Sequence, residues 1–144
     1  MTNDDGSAAL EFITVGVILL IPLVYLVIAL GTIQQQMLGV EAASRHSVRA
    51  MALADDAGAA ATEGAAVLAH VVAEYGIDPD AVEVSVTCAP AGIPCPSAGA
   101  IVTVTVSTRV ALPLIPAVLG LDRAASVGVE GVAVQKMSRL WGEG

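Results

Sequence analysis

Hydrophobic and polar positions divide this chain into an apolar rod and a patterned remainder. No charged residue occurs between Glu11 and Glu41, and Phe12 to Ile33 is almost wholly Ile, Leu, Val and small residues. At ~1.5 Å per residue this run spans roughly 33 Å as a helix, about the thickness of a bilayer's hydrocarbon core, and so predicts a transmembrane helix. No A-x-A cleavage site lies directly behind it and the run is too long for the core of an ordinary secretory signal, which predicts a retained anchor. Pro22 removes a backbone hydrogen bond in mid-run and predicts a kink. Gly16, Ala29 and Gly31 are places where a neighbouring helix can approach closely.

Beyond Gln34-Gln35-Gln36 the helix is expected to continue into water. Met37, Val40, Met51 and Ala54 form one strip with Ser44 and Ser47 between them, and Glu41 and Arg45 make an i,i+4 pair. Asp55-Asp56-Ala57-Gly58 marks the end, giving a first helix from about Ala8 to about Ala54, with the acidic pair read as a cap. A second, amphipathic helix is predicted from about Ala59 to Tyr75. Its apolar face is Ala61, Ala65, Leu68, Val72 and Tyr75, its polar face Glu63, His70 and Glu74, and Gly76 is its stop.

After the turn Asp78-Pro79-Asp80 the period changes to two. Val82, Val84, Val86 and Cys88 alternate with Glu83, Ser85 and Thr87, and Val102, Val104 and Val106 alternate with Thr103, Thr105 and Ser107. These predict a hairpin with Cys88 to Ser97 at its tip. A third strand is predicted from Ala124 to Lys136, where a change of phase between Val127, Val129 and Val132, Val134 predicts a bulge at Gly131. Arg109 to Leu121, apolar and broken by Pro113 and Pro116, reads either as a plug over the sheet or as a segment dipping toward a membrane or neighbouring subunit. The tail from Met137 is polar apart from Leu140 and Trp141, and Trp141 suits a headgroup belt or a subunit groove.

Composition narrows what this architecture does. A net charge of −8 disfavours nucleic acid, and no Gly-rich phosphate loop is present. The 56% hydrophobic content is Ala- and Val-rich with only 3% aromatics, so the core must pack small residues. Two cysteines, Cys88 and Cys95, lack the further ligands a zinc site needs, since His46 and His70 are remote. A disulfide closing a short loop in an oxidising compartment is the favoured reading, two buried thiols in a reduced protein the other. No Ser-His-Asp set or metal cluster is legible, so neither an enzyme, a cofactor nor a small-molecule substrate is expected.

The entrance to the apolar run adds a motif. Gly6, then Ser7-Ala8-Ala9-Leu10, then Glu11-Phe12 and a long apolar helix resembles the class III signal of type IV prepilins. With its Ala- and Val-rich helices and short β tail, the chain most resembles the TadE-like minor pilins of the tight-adherence (Flp, type IVb) system. The resemblance implies cleavage by prepilin peptidase between Gly6 and Ser7, and a pilin-glutamate role in assembly for Glu11 beside Phe12. Unlike most prepilin leaders, Met1-Thr2-Asn3-Asp4-Asp5 carries no Lys or Arg. Apart from the resemblance, Glu11 reads as a residue favouring a helix N-terminus or lying among headgroups.

The expected class is therefore α+β and membrane-anchored: a long N-terminal transmembrane helix extending into water, a second amphipathic helix and a small three-stranded antiparallel sheet. Residues 1–6 form the leader, 7–54 the transmembrane and protruding helix, and 55–144 a small extracytoplasmic domain. Arg45 and Arg49 follow the span and no cation precedes it, so the positive-inside rule alone puts this domain in the cytoplasm. The resemblance and the cysteine pair put it outside. The expected function is that of a minor pilin or pilus-assembly component in the cytoplasmic membrane or a surface pilus. Its implied partners are prepilin peptidase, other Tad pilins or pilus-assembly membrane proteins, and the lipid bilayer. The alternative is a membrane-tethered accessory or binding protein that never polymerises.

Overall fold

The computed structural model describes residues 5–113, 115 and 124–142. Its first element, α1 (Asp5–Leu53), is a single helix of 49 residues, roughly 74 Å long at 1.5 Å per residue. Pro22 lies inside it without ending it, so the proline costs one backbone bond and not the helix. α2 (Ala57–Glu74) begins two residues earlier than the predicted start at Ala59. Asp56 is extended there and its carboxylate accepts from the Ala59 N–H at 2.8 Å, satisfying one of the first turn's free donors. At the other end Gly76 adopts φ +64°, and the Ile77 N–H closes onto the Val72 carbonyl at 2.9 Å.

A single 3₁₀ turn at Pro79–Ala81, capped by the Asp78 carboxylate on the Asp80 N–H at 3.0 Å, leads into the sheet. The strands are β1 (Glu83–Ala89), β2 (Ile101–Ala111) and β3 (Ser126–Lys136), in the order β1-β2-β3, each antiparallel to its neighbour. Val84, Val86 and Cys88 stand opposite Val106, Val104 and Val102, and those three stand opposite Gly131, Ala133 and Gln135. All of these point to the face that carries the helices.

α1 lies along β3 and β2 on that face, and its outer half closes the core. Val40, Ala43, Ser44, Ser47, Val48, Met51 and Ala54 are buried against Val102, Val104, Val106, Val129 and Ala133. Both buried serines are satisfied: Ser44 donates within α1 to the Glu41 carbonyl (3.0 Å), and Ser47 donates across to the Gly64 carbonyl of α2 (3.1 Å). α2 runs antiparallel to α1. Gly64 sits against Met51, and Gly39 of α1 sits against Tyr75 and Ile77 just past the end of α2.

Four expectations change. The predicted bulge at Gly131 is absent, because the β2–β3 register runs from Ile101↔Lys136 to Ala111↔Ser126 without a slip. Gly131 instead faces inward beneath α1, where an added Cβ would lie 2.4 Å from the Val40 carbonyl oxygen. Val132 and Val134 belong to the outward face and are exposed. Met37 is 51% exposed and lies off the buried strip, whereas Met137, predicted in a polar tail, is 1% exposed at the core.

The apolar face of α2 is also rotated from the one predicted. Ala60, Gly64, Val71 and Val72 are buried, while Ala61 and Ala65 are exposed and Leu68 is half-buried. Of the segment expected to be a plug, Leu112, Pro113 and Ile115 are half-buried, and Leu114 and Pro116 to Leu121 lie outside the described residues.

Candidate functional site

Two surfaces stand out, and they lie at opposite ends of the molecule's logic. One is the inner end of α1. From Ala9 onward it is apolar enough and long enough to cross a membrane, with mean hydropathy 2.9 in its most apolar window and only 6% of that window buried. Phe12 is 80% exposed, and Ile13, Ile18, Leu19, Leu23 and Val27 are exposed all around the helix. No amphipathic face exists here, which is the pattern of a helix surrounded by apolar material on every side. The hydroxyls in the run are closed inside the helix: Thr14 donates to the Leu10 carbonyl at 2.7 Å and Thr32 to the Ile28 carbonyl at 3.0 Å.

Gly6 and Ser7 fall within the first turns of α1, so the bond between them is in helical backbone. Glu11 and Phe12 follow one and a half turns later, both exposed. Glu41 and Arg45 form the predicted i,i+4 ion pair farther out, on exposed α1 surface.

The second surface lies over β1. α1 covers β3 and β2, and α2 packs on α1, but the inner face of β1 is left open. Val84 is 47% exposed and Val86 41% exposed, although their β2 neighbours Val106 and Val104 are at most 1% exposed. The residues of α2 above them are Ala61 and Ala65, whose single methyls are too short to bridge a gap between a helix and a strand. The result is an apolar trough of about 360 Å³ between Ala61, Ala65 and Leu68 of α2, Met51 of α1, Val84 and Val86 of β1, and Pro96. A second hollow of about 280 Å³, sharing Leu68 and Val84, continues it toward Val72, Ile77 and Val82. Sequence periodicity assigned Ala61, Ala65, Val84 and Val86 to apolar faces, yet it carries no signal for which such face is left uncovered.

Cys88 and Cys95 are joined as a disulfide across the β1–β2 loop. The bridge closes the outer end of the trough, the end remote from the apolar run. Trp141 is half-buried against the core at that same outer end, beside the α1–α2 turn, where Gly142 approaches Asp55. It is therefore far from any headgroups that surround Phe12 to Ile33, and a headgroup-belt role around that run does not fit its position. Its indole N–H is buried without a hydrogen-bond partner among the described residues. His46 and His70 are both exposed, on α1 and α2, and no group of three or more metal-ligating side chains forms among the described residues.

No family model, curated protein or solved structure matches the chain. Any functional reading therefore rests on these two surfaces and on the Gly6 to Phe12 pattern.

Proposed function

We propose that this chain is a membrane-anchored, pilin-like subunit: a TadE-like minor pilin or assembly component of a tight-adherence pilus, matured by prepilin peptidase. The observation that carries the reading is the division of one continuous helix. Its first half is an apolar rod almost wholly exposed, with only 6% of its most apolar stretch buried, and its second half is a core element of a small α+β head. A soluble domain has no use for such a rod, because exposing many large apolar side chains to water costs about 25 cal/mol per Å². A bilayer removes that cost, and so does a bundle of identical rods.

The motif at the rod's tip supplies the second support. Gly6 and Ser7 offer the scissile bond, and Glu11 and Phe12 the recognition pair, at the start of the helix the resemblance requires. Cleavage would give Ser7 a free α-amine, largely cationic at neutral pH. Two unit charges ~4 Å apart attract by about 4 kcal/mol at an effective dielectric of 20. In a helix bundle shielded from water, the Ser7 amine of one subunit is thus a strong partner for the Glu11 carboxylate of another. The head lies outside the cytoplasm in this reading, where the Cys88–Cys95 bridge is stable.

The test is co-expression with a prepilin peptidase, followed by detergent extraction and N-terminal sequencing. A new terminus at Ser7 is expected, and an uncut Gly6–Ser7 bond in peptidase-positive cells would sink the pilin assignment. Glu11→Gln keeps the shape and removes the charge. It is expected to be inserted and cut normally but depleted from sheared filaments, whereas wild-type incorporation would reduce Glu11 to a helix-end residue.

A further inference from the structure

We propose that β1 is an acceptor for one added β-strand donated by a different protein, with the donor's inward side chains filling the trough beneath α2. Strand addition needs an open edge and a row of pockets beside it, and β1 has both. It is an edge of the sheet, and no backbone hydrogen bond runs to its outer side among the described residues. Natural edge strands are blunted by charges, prolines or bulges. β1 has none of these between Val84 and Ala89, and its register with β2 is unbroken. Indeed no charged residue lies anywhere between Glu83 and Arg109.

The trough defines the donor's chemistry. Its floor and walls near β1 are Val84, Val86, Leu68, Ala61 and Ala65, so inward side chains must be apolar and β-branched or similarly compact. Outward side chains meet Ser85 and Thr87 and are uncharged and polar. At the start of β1 the charge changes: Asp78, Asp80 and Glu83 cluster there, with Glu130 and a single cation, Arg109, in the adjoining outer groove. A Lys or Arg at that end of the donor strand completes the match.

A second copy of this chain does not fit the edge. α1 runs in the same direction as β3 and β1, since Val40 meets Gly131 while Leu53 lies beside Lys136 and Met137. Two-fold antiparallel pairing of β1 with β1 would reverse one α1 relative to the other, against a common membrane. Parallel pairing of β1 with the β3 of a level neighbour would set Glu83 beside Glu130, because both align with Ser107. Strand addition goes beyond the pilin reading and stands without it; only the two-fold exclusion draws on the membrane anchor.

The experiment uses the full chain in lipid nanodiscs, at one copy and at several copies per disc, and amide hydrogen exchange read by mass spectrometry. The probe is the synthetic peptide Ser-Val-Thr-Val-Thr-Val-Lys, which in antiparallel register sets Val against Val84, Val86 and Cys88 and Lys against Glu83. Saturating peptide is expected to slow exchange across Glu83–Ala89 by about tenfold while leaving α1 unchanged. Val86→Lys, which puts a charge on the trough floor, and Ala65→Leu, which fills the trough from α2 without touching β1, are each expected to abolish the protection. Thr87→Lys, on the opposite face of β1, is expected to keep it. The proposal is overturned if β1 is not protected, or if the same residues in the order Val-Val-Val-Thr-Thr-Ser-Lys protect equally. It is equally overturned if Ala65→Leu binds like wild type, or if β1 is already protected without peptide in proportion to copies per disc, which would make a second copy the occupant.

Discussion

The two halves of α1 belong to one unbroken helix, yet only one of them is a folding element. From Phe12 to Ile28 the large apolar side chains are exposed on every side, so no direction of the helix is preferred, and only at Ala29 and Ile33 does burial against the rest of the chain begin. From Val40 to Ala54, small residues recur on one side, and that side is where α2 and the sheet lie. Hydrophobicity alone therefore does not decide where a helix packs; the restriction of small and apolar side chains to one stripe does. The first half leaves its apolar side chains exposed, whereas the second places its stripe at contact distance from a neighbour.

The sharpest way to break this comparison is to add one methyl in each half. At Gly131, where α1 and β3 touch, a Cβ would meet the Val40 oxygen, carbon and the Glu41 nitrogen at 2.4, 2.5 and 2.6 Å. All three are backbone atoms, so no side chain can swing aside. Gly131→Ala is expected to cost the head about 3 kcal/mol or its fold outright, at the top of the range for overpacking. Gly16→Ala, in the apolar half, brings its new methyl within 4 Å of nothing beyond its own stretch of helix backbone. It is expected to leave urea denaturation of the head unchanged, followed by circular dichroism in detergent. If both variants lose stability alike, the two halves are not independent and the division fails.

Next in size is the bridge at the outer end. In the chain-entropy picture, closing the short Cys88–Cys95 loop is worth about 2.5 kcal/mol. The Cys88→Ser, Cys95→Ser double variant is expected to lower the head's stability by that amount in the same urea titration. Proteolytic protection of the apolar half by lipid should not move, because nothing in that half touches the bridge. Loss of both together would again join what the structure separates.

Much of this was readable in advance, and the reasons for the exceptions are specific. Caps and stops are local chemistry, so Asp56 and Gly76 were legible from their neighbours alone. The alternation in β1 and β2 was legible because a strand's period leaves little freedom. The orientation of α2 was not, since a helix so rich in Ala shows several nearly equivalent apolar faces, and the neighbour selects Ala60 and Gly64 over Ala61 and Ala65. Gly131 mimicked a bulge because a missing side chain looks the same in a sequence whether the strand slips or a helix presses on it. Met137 was concealed by its polar followers, although the Met137 N–H bonds to the Ala100 carbonyl at 2.8 Å and draws the residue into the core. The open trough lay beyond any single-element pattern, because it depends on what fails to cover Val84 and Val86.

The smallest effect tests whether the exposed surface of the outer half adds to its stability at all. Asp56 caps α2 with one charge-assisted bond to the Ala59 N–H, and Asp56→Ala is expected to cost about 1 kcal/mol. Arg45 and Glu41 pair on α1 just outside the apolar run, but their side chains are 68% and 46% exposed, so solvent screens most of the attraction. Arg45→Ala is therefore expected to cost only about 0.3 kcal/mol, vanishing by about 0.5 M salt. The cap should keep its effect at that salt, because a hydrogen bond to a free helix donor survives screening that removes a surface ion pair. If Arg45→Ala instead matches Asp56→Ala and persists in salt, the pair is holding α1 in place against something more than its own helix. The boundary between the rod and the head would then be an electrostatic joint rather than a change in packing.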